Sequence, residues 1–517
     1  MKKLLAVLLA VLMSITMLAG CNNDSKEATD ENGKAIKASV DTADMGVSEL
    51  LTNTADQLMN ESKVMTENLY GFKVNENKGA MGLDVAVNGL NIPTDVITLE
   101  SIKATLQGSA DMDKDELMLL ASGEINGTKI NIAELLWNND KIAFASPEIL
   151  DATFTLPTKD FVEKWNESEL GALAPIELAI DDLSFSSVFS AYEMSLNTQA
   201  DMIITTADFL EKCEKSREEA QLTLGGKDTS VTKIEMVVTD EDAKAYLDEI
   251  MDVLSEMMKD GFFKSIVEQE IGTGTDYETA VDEMIEEAKG EFDSISFDDV
   301  TFYMYAYDGK IARIEYEGTI ENVDVLVYFQ FNDMSKMSES MEMVVEATDG
   351  SETINVTMKS SGNLTSTTDD VLKYNLDLVG TQNGTEMLNM VVGATFDYDN
   401  NEYELYIDGS AEGEEVYLSA EGECYRSAKE FKLTFDNITG NIDSESFSLT
   451  EILNDNLGSN VSVDIAVMVY PSKSLSMTKT KKTYDITQMT QSDILGFETE
   501  LMTNVQDLAA KLGISLY

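Results

Sequence analysis

The residues Thr301-Phe-Tyr-Met-Tyr-Ala-Tyr-Asp-Gly-Lys-Ile-Ala-Arg-Ile-Glu-Tyr-Glu317 decide the fold class of this chain. Two runs of aromatic and β-branched residues meet at Asp308-Gly309, a pair that supplies the positive φ angles of a two-residue type I′ turn. The stretch therefore reads as a β-hairpin. The same period of two continues downstream. Val325, Val327, Phe329 and Phe331 share one face, and Leu372, Tyr374, Leu376 and Leu378 share another, opposite Lys373, Asn375 and Asp377. Val461, Val463, Ile465, Val467 and Val469 alternate with Ser462, Asp464, Ala466 and Met468 as far as Pro471, which has no N–H to donate to a ladder. Strands with one apolar and one wet face belong to an antiparallel sheet with a solvated side. Turn signals at Asp349-Gly350, Asn383-Gly384, Asp399-Asn400-Asn401 and Asp408-Gly409 fall at meander spacing, so sequential strands are expected to be neighbours.

Upstream of the hairpin, helices and strands alternate. Helical spacing runs from Gly46 to Tyr70, with a break expected near Asn60. Strands are expected at Met81 to Val87, Ile102 to Leu106, Leu117 to Ala121, across Asn126-Gly127 to Ile132, and at Lys141 to Ala145. Thr158 to Glu169 reads as a short helix, and Thr205 to Gln221 as a longer one with Phe209, Leu210 and Cys213 inward. After a strand from Val231 to Val238 comes the best helical pattern of the chain, Thr239 to Met257. A threonine cap and first-turn acids open it, Gly261 stops it, and Ala243, Tyr246, Leu247, Ile250, Val253, Leu254 and Met257 form its apolar stripe. A further acidic helix covers Ala280 to Ala288. The last helix runs from Ser492 to Leu512, with Ile494, Leu501, Val505, Leu508 and Leu512 facing in. The expected fold class is α+β, with curved antiparallel sheets packed on helices and a strand-rich second half.

The chain begins Met1-Lys2-Lys3, followed by a mainly apolar run to Leu18 that is too short for a stable membrane span and reads as a signal peptide. The residues Leu18-Ala19-Gly20-Cys21 resemble a bacterial lipobox, which implies cleavage before Cys21 and a diacylglyceryl group on its sulfur. A hydrophilic leash follows, beginning Asn22-Asn23-Asp24. The expected division is a signal peptide over 1–20, an acidic tether over 21–45, an α+β domain over 46–335, and an antiparallel β-rich domain with a carboxyl-terminal helix over 336–517. A chain of 517 residues exceeds what one core usually supports. Its 96 acidic and 36 basic residues give a formal charge of −60, which repels nucleic acid and anionic headgroups. Cys213 and Cys424 are either one disulfide or two buried thiols.

The chain contains no histidine, which excludes histidine-based triads, H-E-x-x-H metalloproteases and imidazole-ligated metals. No nucleophile elbow, phosphate loop or dinucleotide fingerprint lies between a strand and a helix. No enzymatic site and no cofactor or metal site is expected. Two acidic stretches start like calcium loops: Asp111-Met-Asp113-Lys-Asp115 and Asp397-Tyr-Asp399-Asn-Asn401. Both carry glutamate where the loop needs glycine, and hairpin turns account for them.

The order of lipobox, acidic leash, helix and antiparallel strands resembles extracytoplasmic lipoproteins of Gram-positive bacteria. The strand Val231 to Val238, the helix Thr239 to Met257 and the hairpin around Asp308-Gly309 are similar to parts of the lipoprotein-carrier (LolA- and LppX-like) fold, over roughly residues 46 to 335. That resemblance implies a curved sheet wrapped round helices with a cavity for acyl chains, lined here by Tyr246, Leu247, Ile250, Leu254 and Met257. The expected function is a lipoprotein anchored at Cys21 on the outer face of the cell membrane, binding an apolar or amphipathic ligand such as a lipid. The alternative is a structural or interaction protein of the cell envelope with an acidic β-rich surface.

Overall fold

The computed structural model describes residues 42–512, except 76, 91, 94–97, 177–181, 187–200, 203, 260–276, 294–298, 321–322, 412, 443–444, 450 and 453–460. Cys21, the signal peptide, most of the leash and Gly261 lie outside the described residues.

The expected α+β arrangement of sheets packed on helices is overturned: the chain builds one 21-stranded, almost wholly antiparallel sheet with few helices. Its amino-terminal strands are β1 (Lys78–Asn88), β2 (Ile102–Asp111), β3 (Glu116–Ile125), β4 (Thr128–Asn138), β5 (Lys141–Ser146) and β6 (Leu150–Pro157). The central meander comprises β7 (Glu214–Leu224), β8 (Lys227–Val238), β9 (Val300–Tyr307), β10 (Lys310–Ile320), β11 (Val323–Phe331), β12 (Met341–Asp349) and β13 (Glu352–Gly362). It continues through β14 (Val371–Gln382), β15 (Thr385–Asp397), β16 (Glu402–Ala411), β17 (Glu414–Ser427), β18 (Glu430–Ile442) and the short β19 (Glu445–Ser448). β20 (Ser462–Tyr470) and β21 (Lys482–Asp485) close the series.

From β7 to β18 every strand pairs with its successor; the connections are short except that from β8 to β9, which holds the helices Asp240–Lys259 and Tyr277–Asp293. The β11–β12 pair carries the sheet across residues 335 and 336. β18 then pairs with β20, β20 with β1, and β1 with β2, so the amino-terminal strands extend the sheet beyond its last meander strand. β21 adds in parallel to β6. The outer edge at β7 begins Glu214-Lys-Ser-Arg-Glu-Glu219, a run of charge that discourages edge-to-edge pairing.

Turn chemistry explains most connections. Asn126-Gly127, Asp308-Gly309 and Asn383-Gly384 all hold positive φ at both positions, as a type I′ turn demands. Gly225-Gly226 does the same, and this corrects the helix expected over Thr205 to Gln221. Residues 204–212 are helical, but Glu214–Leu224 is a strand hairpinned to β8. The alternation Ala220, Leu222, Leu224 into a Gly-Gly turn was the signal for it. Asp408-Gly409, expected as a turn, lies inside β16. A Cβ on Gly409 would meet the Asn389 carbonyl oxygen at 2.0 Å, so the glycine permits close strand approach.

The helix α1 (Val47–Tyr70) organises this sheet. It is unbroken at Asn60 and ends where Gly71, at φ 75°, donates its N–H to the Glu67 carbonyl. Its first turn lacks a side-chain cap of its own; the Glu211 carboxylate accepts from the Val47 and Ser48 amides instead. α1 then crosses the hairpin ends of alternate strand pairs. Asn53 Nδ2 donates to Gly309 O (2.9 Å) and Ile311 N donates to Thr54 Oγ1 (2.8 Å) at the β9–β10 turn. Leu58 packs on Phe329, Phe331 and Met337, and Glu61 holds the β11–β12 connection. Asn68 Nδ2 donates to Leu364 O and Ser366 O, Tyr398 Oη donates to Leu69 O, and the Tyr70 ring packs on Phe431 at 5.0 Å. From Thr54 to Tyr70 the helix rises about 24 Å. The eight strand spacings from the first of these turns to the last would span about 38 Å if flat. The sheet is therefore gathered round the helix at this end.

Residues on one face run in register across successive strands of the meander. Met304, Ile314, Phe329, Met343, Met358, Leu378 and Met390 form one such row, and its first part, with Ile234, Phe302 and Leu50, makes the main core. The remaining helices attach round this framework: α2 (Phe161–Glu167), α3 (Asp240–Lys259), α4 (Tyr277–Asp293) and α5 (Gln491–Lys511). α5 opens with a capping box between Thr490 and Asp493. Its inward residues are Phe497, which meets Phe154 and Tyr484, and Ala509; Ile494, Leu501 and Val505 are exposed, contrary to expectation. The sequence holds two overlapping apolar stripes, and the aromatic cluster selects the other one.

Candidate functional site

On the side of the sheet that carries α1, the strands β20, β1, β2, β3, β4 and β5 present a face without a charged residue. The register aligns Val469, Met81, Gly108, Leu119, Leu135 and Phe144 in one row. Val467, Leu83, Leu106, Ala121 and Ala133 form the next, and Ile465, Val85, Ala104 and Gly123 a third. The opposite face of the same strands carries Lys78, Asp84, Lys103, Asp111 and Glu124. Alternation of this kind normally hides its apolar side against another layer. Here Met81 is 64% exposed and Leu106 49%, and Leu83, Ile102, Ile132 and Phe144 are also exposed.

At the α1 end this face deepens into a pocket of about 340 Å³. Tyr70, Phe72 and Val74, on and after the last turn of α1, wall one side; Leu117, Leu119, Met81 and Val469 wall the others. The floor is made of Gly79, Gly108 and Ala110, and a Cβ placed on Gly79 would meet nothing within 4 Å. Its size falls in the range of small-molecule pockets, which are mostly apolar with few polar groups. Asn75 stands at one end, beside Lys78, whose ammonium turns to the opposite face of the sheet. Lys78 Nζ lies 2.8 Å from Asp113 and 3.4 Å from Asp111, and the Asp113 hydrogen bond helps to hold its ammonium above the ordinary value. Asp111 also pairs with Lys114 at 2.8 Å, so this acidic stretch, a hairpin connection, is occupied by lysines. In the second acidic stretch the Asp397 carboxylate accepts from the amides of Asp399 and Asn400, closing the β15–β16 turn. No cluster of three metal-ligating side chains occurs among the described residues.

The five residues expected to line a cavity lie elsewhere. They belong to α3, where the capping pair Thr239 and Asp242 forms as expected. Tyr246 stacks on Phe209 at 4.5 Å and shares a hydrogen bond with Thr206 Oγ1, at the margin of the main core. Leu247, Ile250, Leu254 and Met257 are half-buried, and none of the five lines the 340 Å³ pocket. Met251 and Met258 of the same helix pack on Tyr277, Val281 and Ile285 of α4. Sequence reasoning missed the pocket residues, although the alternation of Met81, Leu83, Val85 and Val87 marked one of its strands. Cys213 and Cys424 are separate buried thiols, in the main core and in a second core with Leu372 and Phe396. Burial pushes each up to about 11.

No protein-family model and no curated protein matches the chain. Solved structures that align with it include a mutant porin of Rh. blastica at 8% identity, covering 76% of this chain and 98% of that one, with a TM-score of 0.09. Others are Pseudomonas aeruginosa OccK5 (7% identity, 76% and 96% coverage, TM-score 0.12) and a BenF-like porin from Pseudomonas fluorescens (7%, 76% and 97%, TM-score 0.11). At such scores these likenesses carry no argument about fold or function. No helix among the described residues is long and apolar enough to cross a membrane.

Proposed function

We propose that this is a non-catalytic lipoprotein, held on the outer face of the cell membrane by a lipid on Cys21, that binds an apolar or amphipathic ligand. The observation that supports ligand binding is the pocket between Tyr70, Phe72 and Gly79, which opens onto an uncharged, exposed sheet face. Covering about 200 Å² of such surface would contribute roughly 5 kcal/mol before the entropic cost of association. Gly79→Leu tests the site. Its backbone is not left-handed and its surroundings are open, so the new side chain fills the floor without strain. Binding of a fluorescent long-chain fatty alcohol should weaken at least about tenfold while the unfolding midpoint stays unchanged; undiminished binding would overturn the site. For the anchor, Cys21→Ser should move the protein out of the detergent phase, and unchanged partitioning would refute it.

A further inference from the structure

We infer that the binding site extends from the pocket across the sheet to α5 and holds a membrane lipid with two hydrocarbon chains side by side; this rests on the binding and anchoring reading above. The pocket occupies only the α1 end of the uncharged face, because its lining stops at Leu117 and Leu119 of β3. The floor runs on through Leu135 of β4 to Phe144 of β5, which is 44% exposed. Phe144 pairs in turn with Phe154 of β6, and the Phe497 ring of α5 packs on Phe154 at 5.3 Å. α5 therefore stands on the same face of the sheet as α1.

The unburied stripe of α5 faces this floor. Glu500 meets Lys482 of β21 at 3.1 Å, and β21 lies on the far side of β6 from β5. At about 100° per residue, Glu500 sits about 60° to one side of Phe497, whereas Leu501, Ile494 and Val505 sit about 40° to 80° to the other. Turning Glu500 toward β21 therefore turns these three toward β5, and all three are exposed. The face is thus a trough with two apolar walls: Tyr70 and Phe72 at the end of α1, and the flank of α5. From Met81 to Phe144 its floor crosses four strand spacings, about 19 Å. Apolar groups touch at about 4 Å, so one chain in the pocket leaves β4, β5 and the α5 wall exposed, and a second chain beside it covers them. The anchor names the source. The backbone from Cys21 to Thr42, where the described residues begin, spans at most about 75 Å, which holds the trough near a bilayer whose lipids carry two chains.

The test uses the full chain, lipidated or carrying Cys21→Ser, freed of co-purified lipid and detergent. Two soluble probes that share a head and a chain length are titrated, monooctanoylglycerol and dioctanoylglycerol. The two-chain probe should bind at least about tenfold more tightly. Leu501→Asp and Val505→Asp, on the exposed flank of α5, should each remove most of that preference while one-chain binding and the unfolding midpoint stay unchanged. Equal binding of the two probes, or a preference that survives both variants, with Gly79→Leu weakening both probes, would overturn the trough and leave the pocket standing. Binding that ignores Gly79→Leu, or no binding of either probe, would overturn the pocket and this inference together. Binding by the Cys21→Ser chain but not by the lipidated one would show that the chain's own lipid fills the trough. Lipid-free chains that pair in sedimentation and separate on Leu501→Asp would place a second copy there. Either result would overturn a membrane lipid as the occupant.

Discussion

Truncating Glu61 to alanine should unlock the sheet from its organising helix. Glu61 is 5% exposed and accepts four hydrogen bonds: from Gln57 Nε2 (2.6 Å), Met337 N (3.1 Å), Ser338 N (2.7 Å) and Ser338 Oγ (2.7 Å). Gln57 and the Ser338 hydroxyl are only partly buried and regain water after truncation. The Met337 amide cannot, because Met337 is fully buried among Leu58, Phe329 and Phe331. Stranding that donor costs about 1–3 kcal/mol, and losing the charge-assisted bond to the Ser338 amide adds about 1.5–3. The expected loss is about 3–5 kcal/mol, with Glu61→Gln near half of it because one acceptor oxygen survives. Urea unfolding followed by circular dichroism measures both, with the exposed Lys63→Ala as a control expected within about 0.5 kcal/mol. A loss below about 1 kcal/mol for Glu61→Ala, or equal losses for both Glu61 variants, would show that the carboxylate does not clamp the β11–β12 connection.

Further outcomes follow from burial and charge. Leu50 has no exposure, so Leu50→Ala should cost about 3–5 kcal/mol by transfer and cavity terms, whereas the half-buried Leu254→Ala should cost about 1–2; the two denaturant midpoints decide the ordering. Burial tends to raise the Glu211 carboxyl, but the Ser48 and Val47 amides and Lys215 outweigh it and hold the group below the ordinary 4.5. A folded value below the unfolded one means that its contribution is complete above pH 4.5 and fades as pH falls through the folded value, so Glu211→Gln should flatten the acid limb of the stability profile. An identical acid limb would refute the cap at the α1 amino terminus. Cys213 and Cys424, raised by burial, should resist alkylation at pH 8 in the folded protein and react at once in urea; mass spectrometry of the two states checks this.

What the sequence determined by itself was local. Asp308-Gly309 and Asn383-Gly384 dictate tight hairpins because few other residue pairs tolerate positive φ twice in succession. The α1 pattern and the Thr239 cap are legible for the same reason: each depends on neighbours within a turn or two. The fold class was not legible, because helical patterns in the first half weigh as much on the page as strands, yet only strands add indefinitely to one ladder. Nor could alternation show that β1 joins β20, nearly 400 positions away, or that α5 uses Phe497 in place of Leu501. The same limit hid the pocket. Met81, Leu83 and Leu106 look like ordinary core positions, and only the arrangement of distant elements decides that this part of the face stays bare while the rest is covered. Periodicity specifies which side of a strand is apolar; long-range packing decides whether anything lies against it.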